Sequence, residues 1–156
     1  MIKVGIIGFG NISRNVHLPI LLSRNDIQII WIVEKNREFE TLYKKKINFY
    51  SNIEDAISSA IPEIALITVP YGERTKIFNN LKRNVKGIYC EKPLALNTDE
   101  HLSNVSGFDK YSFTIGYQRR SLGNVQTIKS IIESKIFGVL KNIEIEFGSI
   151  HYSFGG

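Results

Sequence analysis

Met1-Ile2-Lys3-Val4-Gly5-Ile6-Ile7-Gly8-Phe9-Gly10-Asn11-Ile12-Ser13 opens the chain, and its reading decides the fold. The run from 2 to 7 is apolar and largely β-branched, as expected of a strand covered on both faces. Gly8-Phe9-Gly10 follows with no spacer, and residues 12–23 then carry the longer apolar spacing of an amphipathic helix. Strand, glycine turn and helix in that order make the opening of a βαβ unit. Gly8 allows a tight turn, while Gly10 has no side chain to keep a diphosphate from the free N–H groups at the helix start. Ser13 stands where a third glycine often packs helix against strand, and it is small enough to do so.

Working outward, short apolar runs alternate with amphipathic ones. Strands are expected at about 2–7, 28–33, 47–50, 63–69, 87–91 and 112–117, and helices at 12–23, 37–46, 53–60, 73–83 and 98–106. Ile27-Gln28-Ile29-Ile30-Trp31-Ile32-Val33 and Ile64-Ala65-Leu66-Ile67-Thr68-Val69 are near-continuous apolar segments, the mark of a parallel sheet between helical layers. The fold class is therefore α/β, a Rossmann-type doubly wound parallel sheet. Pro19 falls inside the first helix, where it removes the bond to the Asn15 carbonyl and is expected to kink the axis. Asn52 and Thr98 are the expected N-caps of the helices that follow them.

Glu34 lies at the end of the second strand. A carboxylate there can accept both hydroxyl protons of the adenosine ribose of NAD, and it repels the 2′-phosphate of NADP. Lys35 and Arg37 are near enough to pair with such a phosphate, so the reading favours NAD and keeps NADP as the alternative.

Beyond Gly116 the pattern changes. Residues 124–136 read as a helix with Val125, Ile128, Ile131, Ile132 and Phe137 near one stripe, ended by Gly138. Asn142-Ile143-Glu144-Ile145-Glu146-Phe147 then alternates as a strand with one solvated face does. The expected organisation is a dinucleotide-binding domain over 1–120, followed over 121–156 by the truncated start, one helix and one strand, of an α+β substrate and oligomerisation domain. An unpaired last strand offers an edge through which a homo-oligomer can form.

The totals restrict the function classes. At 156 residues the chain holds one ordinary domain and a fragment, and 43% apolar with 22% charged residues is the balance of a soluble globular protein. The net charge of +5 is dispersed, with Lys44-Lys45-Lys46 its single run of three, so a nucleic-acid partner is not expected. One cysteine, Cys90, excludes an intramolecular disulfide and a thiolate metal cluster; no metal is expected, and a reducing cytoplasm fits. No apolar window reaches membrane-spanning length, so no membrane partner is expected.

Several further segments resemble the Gfo/Idh/MocA family of sugar-type oxidoreductases. They are Gly8-Phe9-Gly10-Asn11-Ile12 with His17-Leu18-Pro19, Val69-Pro70 after the fourth strand, Cys90-Glu91-Lys92-Pro93-Leu94-Ala95-Leu96-Asn97 after the fifth, and Gly116-Tyr117-Gln118-Arg119-Arg120 after the sixth. Glu91-Lys92-Pro93 is the most specific of them. The resemblance implies a coenzyme site of Gly8, Phe9, Gly10, Asn11, Ile12, Glu34, Lys35, Val69, Pro70, Glu91, Lys92, Pro93, Gln118 and Arg119. It also implies that Lys92 is catalytic, hydrogen-bonding the substrate oxygen and stabilising its developing charge. The bond before Pro93 is cis in some members, and Glu91 is expected to orient the loop or meet the nicotinamide ribose. His17, in the kinked helix, is expected to be structural or near the diphosphate.

Two departures stand out. Tyr71-Gly72-Glu73-Arg74-Thr75 replaces a segment in which many relatives have a histidine, and the family's downstream motif, an aspartate followed a few residues later by a histidine that acts as acid/base, lies beyond a Gly-Gly turn like Gly155-Gly156. The expected function is NAD(P)-dependent hydride transfer to or from a hydroxyl-bearing carbon of a sugar, inositol or related polyol. The alternative is a dinucleotide-binding module without catalysis, or an inactive truncated product.

Overall fold

The computed structural model describes residues 1–36, 38, 40–43, 47–82, 84–108 and 112–146. Contacts divide the chain into two units, Met1–Tyr117 and Gln118–Gly156.

The first unit is a six-stranded sheet of β1 (Ile2–Ile7), β2 (Ile27–Val33), β3 (Asn48–Tyr50), β4 (Ile64–Ile67), β5 (Gly87–Cys90) and β6 (Phe113–Ile115). The order is β3-β2-β1-β4-β5-β6, and every pairing is parallel. The chain winds outward from β1 to β3, returns to lay β4 against β1, and winds the other way. The carboxyl ends of β1 and β4 thus flank a topological switch point, where sheets of this kind bind ligands.

Alternation across the sheet sorts the core into two layers. Ile7, Trp31, Ile67 and Cys90 pack under α3 (Ile53–Ser59) and α4 (Arg74–Leu81), while Val4, Ile6, Ile32 and Leu66 pack on the other face with Leu18 of α1 (Leu18–Leu22). The shortest strands, β3 and β6, lie at the edges, where burial is least complete. α2 (Glu40–Tyr43) and α5 (Thr98–Val105) complete this unit.

Two local expectations in this unit are corrected. Pro19 does not simply break a bond inside a helix. A π-helical turn over Ser13–His17 precedes it, the Leu18 N–H reaches back to the Ser13 carbonyl, and Pro19 falls in the first turn of α1, where its missing N–H costs little. The cap of α5 is Asn97, one residue before Thr98, with its Oδ1 accepting the Glu100 N–H at 2.9 Å. Asn52 caps α3 as expected, accepting the Asp55 N–H at 2.8 Å. Asn97→Ala is expected to cost about 1 kcal/mol in urea denaturation, and Thr98→Ala much less.

In the second unit, α6 runs over Gly123–Ser134 and ends at Lys135, whose φ of 53° is left-handed, before the glycine expected to stop it. Residues 142–146 form no strand, which corrects the alternation-based expectation; among the described residues no segment forms a ladder with them. Phe147, Gly155 and Gly156 lie outside the described residues. No described helix is long and apolar enough to cross a membrane.

Candidate coenzyme site

The glycine turn is locked from three sides. Gly8 has a φ of +93°, a left-handed conformation that disfavours any side chain, and a Cβ there would come within 2.9 Å of Thr68 Oγ1 and of Val69 Cγ1. Its N–H donates to the Val33 carbonyl at 2.9 Å, and the Thr68 hydroxyl donates to the Gly8 carbonyl at 2.8 Å, so the turn is tied to β2 and to the end of β4. Phe9 belongs to the core rather than to the ligand surface. Its ring is buried, edge-on to Tyr43 at 5.6 Å and Phe49 at 5.5 Å, and it anchors the loop from below. Gly10 is the reverse of Gly8: a Cβ there would meet no atom within 4 Å. Open space stands over this glycine, as a diphosphate requires. Asn11 and Ile12 are exposed beside it, with Asn11 Oδ1 accepting from Asn15 Nδ2.

Glu34 closes the turn. One carboxylate oxygen accepts the Phe9 N–H at 2.6 Å and the other accepts the Asn36 N–H at 3.0 Å, while its own N–H donates to Tyr50 of β3. A carboxylate has about four acceptor positions, so these two bonds leave capacity for a pair of ribose hydroxyls. Sequence reasoning places Glu34 at the ribose; the structure adds that the same side chain organises the glycine loop.

Gly8, Gly10, Glu34, Lys35, Thr68, Val69 and Pro70 line a cavity of about 590 Å³, together with Ser51, Asn52, Gly72 and Glu73. Lys35 Nζ meets Glu73 Oε2 at 2.9 Å, so the cation expected to attract a 2′-phosphate already faces a carboxylate. Arg37 lies outside the described residues. Neither Glu73 nor Asn52 was expected at a ligand cavity; their place follows from β3 and β4 flanking the β2–β1 pair, with all four parallel strands ending on the same side.

A second cluster gathers around Glu91, just past β5. Its Oε1 lies 2.9 Å from His17 Nε2 and accepts the Tyr89 hydroxyl at 3.4 Å, while Oε2 accepts the Lys92 N–H at 3.3 Å. Burial and the Glu91 charge both push the Tyr89 phenol up, which keeps it a neutral donor. The His17 ring also stands edge-on to Tyr89 at 5.4 Å. The π-helical turn therefore carries His17 to a carboxylate 74 residues away. Gly116 leaves room for this cluster, because a Cβ there would lie 2.7 Å from the Tyr89 hydroxyl.

The Lys92–Pro93 peptide bond is cis, as in members of the family resembled. Lys92 is exposed, and among the described residues its amine has no hydrogen bond or ion pair. Cys90 is buried, and that burial pushes its thiol up to about 12, so it is a packing residue rather than a nucleophile. Gln118 and Arg119 fall in the second unit, within the 3₁₀ turn Gln118–Ser121.

The family model described as "Oxidoreductase family, NAD-binding Rossmann fold" matches residues 2–116, the sheet and its loops together. The chain belongs to the Gfo/Idh/MocA oxidoreductase family. As in that family, the fold is an NAD-binding Rossmann fold. The Gfo/Idh/MocA chain is similar to the WlbA dehydrogenase of Bordetella pertussis, solved with NADH and UDP-GlcNAcA, at a TM-score of 0.76 and 21% identity over 88% of this chain and 41% of that one. It is similar also to the apo scyllo-inositol dehydrogenase of Lactobacillus casei, at 0.74 and 17% identity over 88% and 42%, and to an oxidoreductase of Bacillus cereus, at 0.70 and 22% over 88% and 41%. These likenesses establish the fold. Among curated protein sequences none matches the chain. The chain spans about two fifths of the length of the solved relatives.

Proposed function

We propose that this chain is the coenzyme half of an NAD(P)-dependent oxidoreductase that acts on a hydroxyl-bearing carbon of a sugar, inositol or related polyol. The supporting observation is the space over Gly10, bounded by Glu34 on one side and by the end of β4 on the other. Asn11 and Ile12 stand at the diphosphate, Val69 and Pro70 form the wall beyond it, and Glu34 with Lys35 holds the adenosine ribose. When bound, the nicotinamide coenzyme supplies the hydride acceptor or donor. Lys92 supplies an exposed ammonium that hydrogen-bonds the substrate oxygen, and Glu91 fixes the backbone N–H of Lys92. Residues 121–156 are the beginning of the substrate domain, and Gln118 and Arg119 precede it in the sequence.

The test is a titration with NADH and NADPH, exciting Trp31, the chain's single tryptophan, and reading energy transfer to the reduced nicotinamide. NADH is expected to bind more tightly than NADPH, because Glu34 repels the added phosphate and Glu73 already engages Lys35. Glu34→Ala is expected to weaken NADH binding by about tenfold or more, since it removes both the ribose acceptor and the Phe9 tether. Absence of energy transfer at saturating NADH and NADPH would overturn the coenzyme assignment. Coenzyme binding with no oxidation of any polyol in a panel would favour the non-catalytic module.

A further inference from the structure

Arg74, the first residue of α4, is 3% exposed. Its Nε donates to the Val69 carbonyl at 2.9 Å, and its Nη1 donates to the carbonyls of Glu91 and Pro93. Every acceptor is a main-chain oxygen. A buried guanidinium is tolerated only when donors meet acceptors, and its planar fork suits oxygens fixed at several points.

The acceptors lie on two separate segments. Val69 is the wall of the coenzyme cavity at the end of β4, and Glu91 and Pro93 flank Lys92. The Lys92 side chain has no tie of its own, so the place of its amine depends on where the backbone on either side is held. The Glu91 carboxylate is already fixed by His17 and Tyr89, and its bond to the Lys92 N–H, at 3.3 Å, is long. Charge-assisted bonds from Arg74 are the stronger constraint.

We propose that Arg74 is the positioning residue of Lys92, fastening the main chain on both sides of it to the wall of the coenzyme cavity, so that the ammonium is presented at a fixed place beside bound nicotinamide. The proposal rests on the reading of Lys92 as the substrate-facing ammonium.

The experiment uses the full chain with its lysines reductively methylated by an isotope-labelled reagent and observed by NMR. The Lys92 signal is assigned by its loss in Lys92→Arg, and Trp31 energy transfer reports NADH affinity in parallel. In the unsubstituted chain, saturating NADH is expected to shift both the Lys92 signal and that of Lys35, which lines the adenosine side of the cavity. In Arg74→Met, NADH affinity is expected to stay within about threefold and the Lys35 response to persist, while the Lys92 response is lost. Arg74→Lys keeps the buried charge but not the fork; it is expected to behave in the same way, and it serves if the methionine variant does not fold. A full Lys92 response in either folded variant would overturn the proposal. So would a parallel loss of the Lys35 and Lys92 responses, which would make Arg74 a support of the whole coenzyme site. A Lys92 signal that ignores NADH in the unsubstituted chain, while Trp31 reports binding, would instead remove the reading of Lys92 and the proposal with it.

Discussion

Gly10→Val is expected to abolish coenzyme binding while leaving the fold untouched. A Cβ at this position meets no atom within 4 Å, and Gly10, unlike Gly8, is not in a left-handed conformation. The added isopropyl group therefore projects into solvent in the free protein, and its effect on the melting temperature is expected to be within about 2 °C. With coenzyme the balance reverses, because that space is the one through which a diphosphate reaches the amides at the helix start. The site must then give up the approach or rebuild a turn held at Gly8 by Val33 and Thr68. The expected loss is at least about a hundredfold in NADH affinity, near 2.7 kcal/mol, read by Trp31 energy transfer. Gly8→Val is the control: it strains the backbone and strikes Thr68 and Val69, so it is expected to lower stability and affinity together. A Gly10→Val protein that folds and still binds NADH at the wild-type concentration would mean that the diphosphate does not pass over this turn.

The separation of these two glycines shows what a sequence reveals and what it leaves to the fold. All six strands lie within about two residues of expectation, because runs such as Ile27–Val33 must be covered on both faces and only a parallel sheet between helices covers them. The glycine turn and the position of Glu34 at the end of the second strand were legible for the same reason: both are local to one βαβ unit. The bond from Phe9 to Glu34 was not, since a carboxylate that can bind ribose and one that can tether a loop look alike in a sequence. His17 and Arg74 were legible only as a helix histidine and as a departure from a family pattern. Their partners are carbonyls or carboxylates brought near by the crossover to β4 and β5, and no local periodicity encodes those contacts. The alternation at 142–146 is the opposite case, a local signal without a ladder among the described residues. A strand is defined by its neighbour, so alternation alone does not make one.

The largest expected loss of stability comes from Gly5→Ala, a change of one methyl group at the centre of the sheet. A Cβ on Gly5 would lie 2.3 Å from Trp31 Cη2 and within 2.6 Å of two further ring carbons. Trp31 cannot swing aside. Its side chain is fully buried and its indole N–H donates to the Ala60 carbonyl at 2.8 Å, which fixes the ring from the far end. The pairing of β1 with β2 is built around this contact: its register shifts between Val4, opposite Ile29, and Gly5, opposite Trp31. Either the strands separate at this shift in register or the indole gives up its bond and its packing. Overpacking of this kind is expected to cost roughly 3 kcal/mol, which corresponds to a fall of about 6–12 °C in melting temperature for a chain of this size. Trp31→Phe, which shortens the ring and orphans the Ala60 carbonyl, is destabilising on its own; combined with Gly5→Ala it is expected to restore part of the loss, because the new methyl group then occupies the vacated space. Strict additivity in that double-mutant cycle, measured by thermal unfolding, would show that Gly5 is required for some reason other than the indole lying against it.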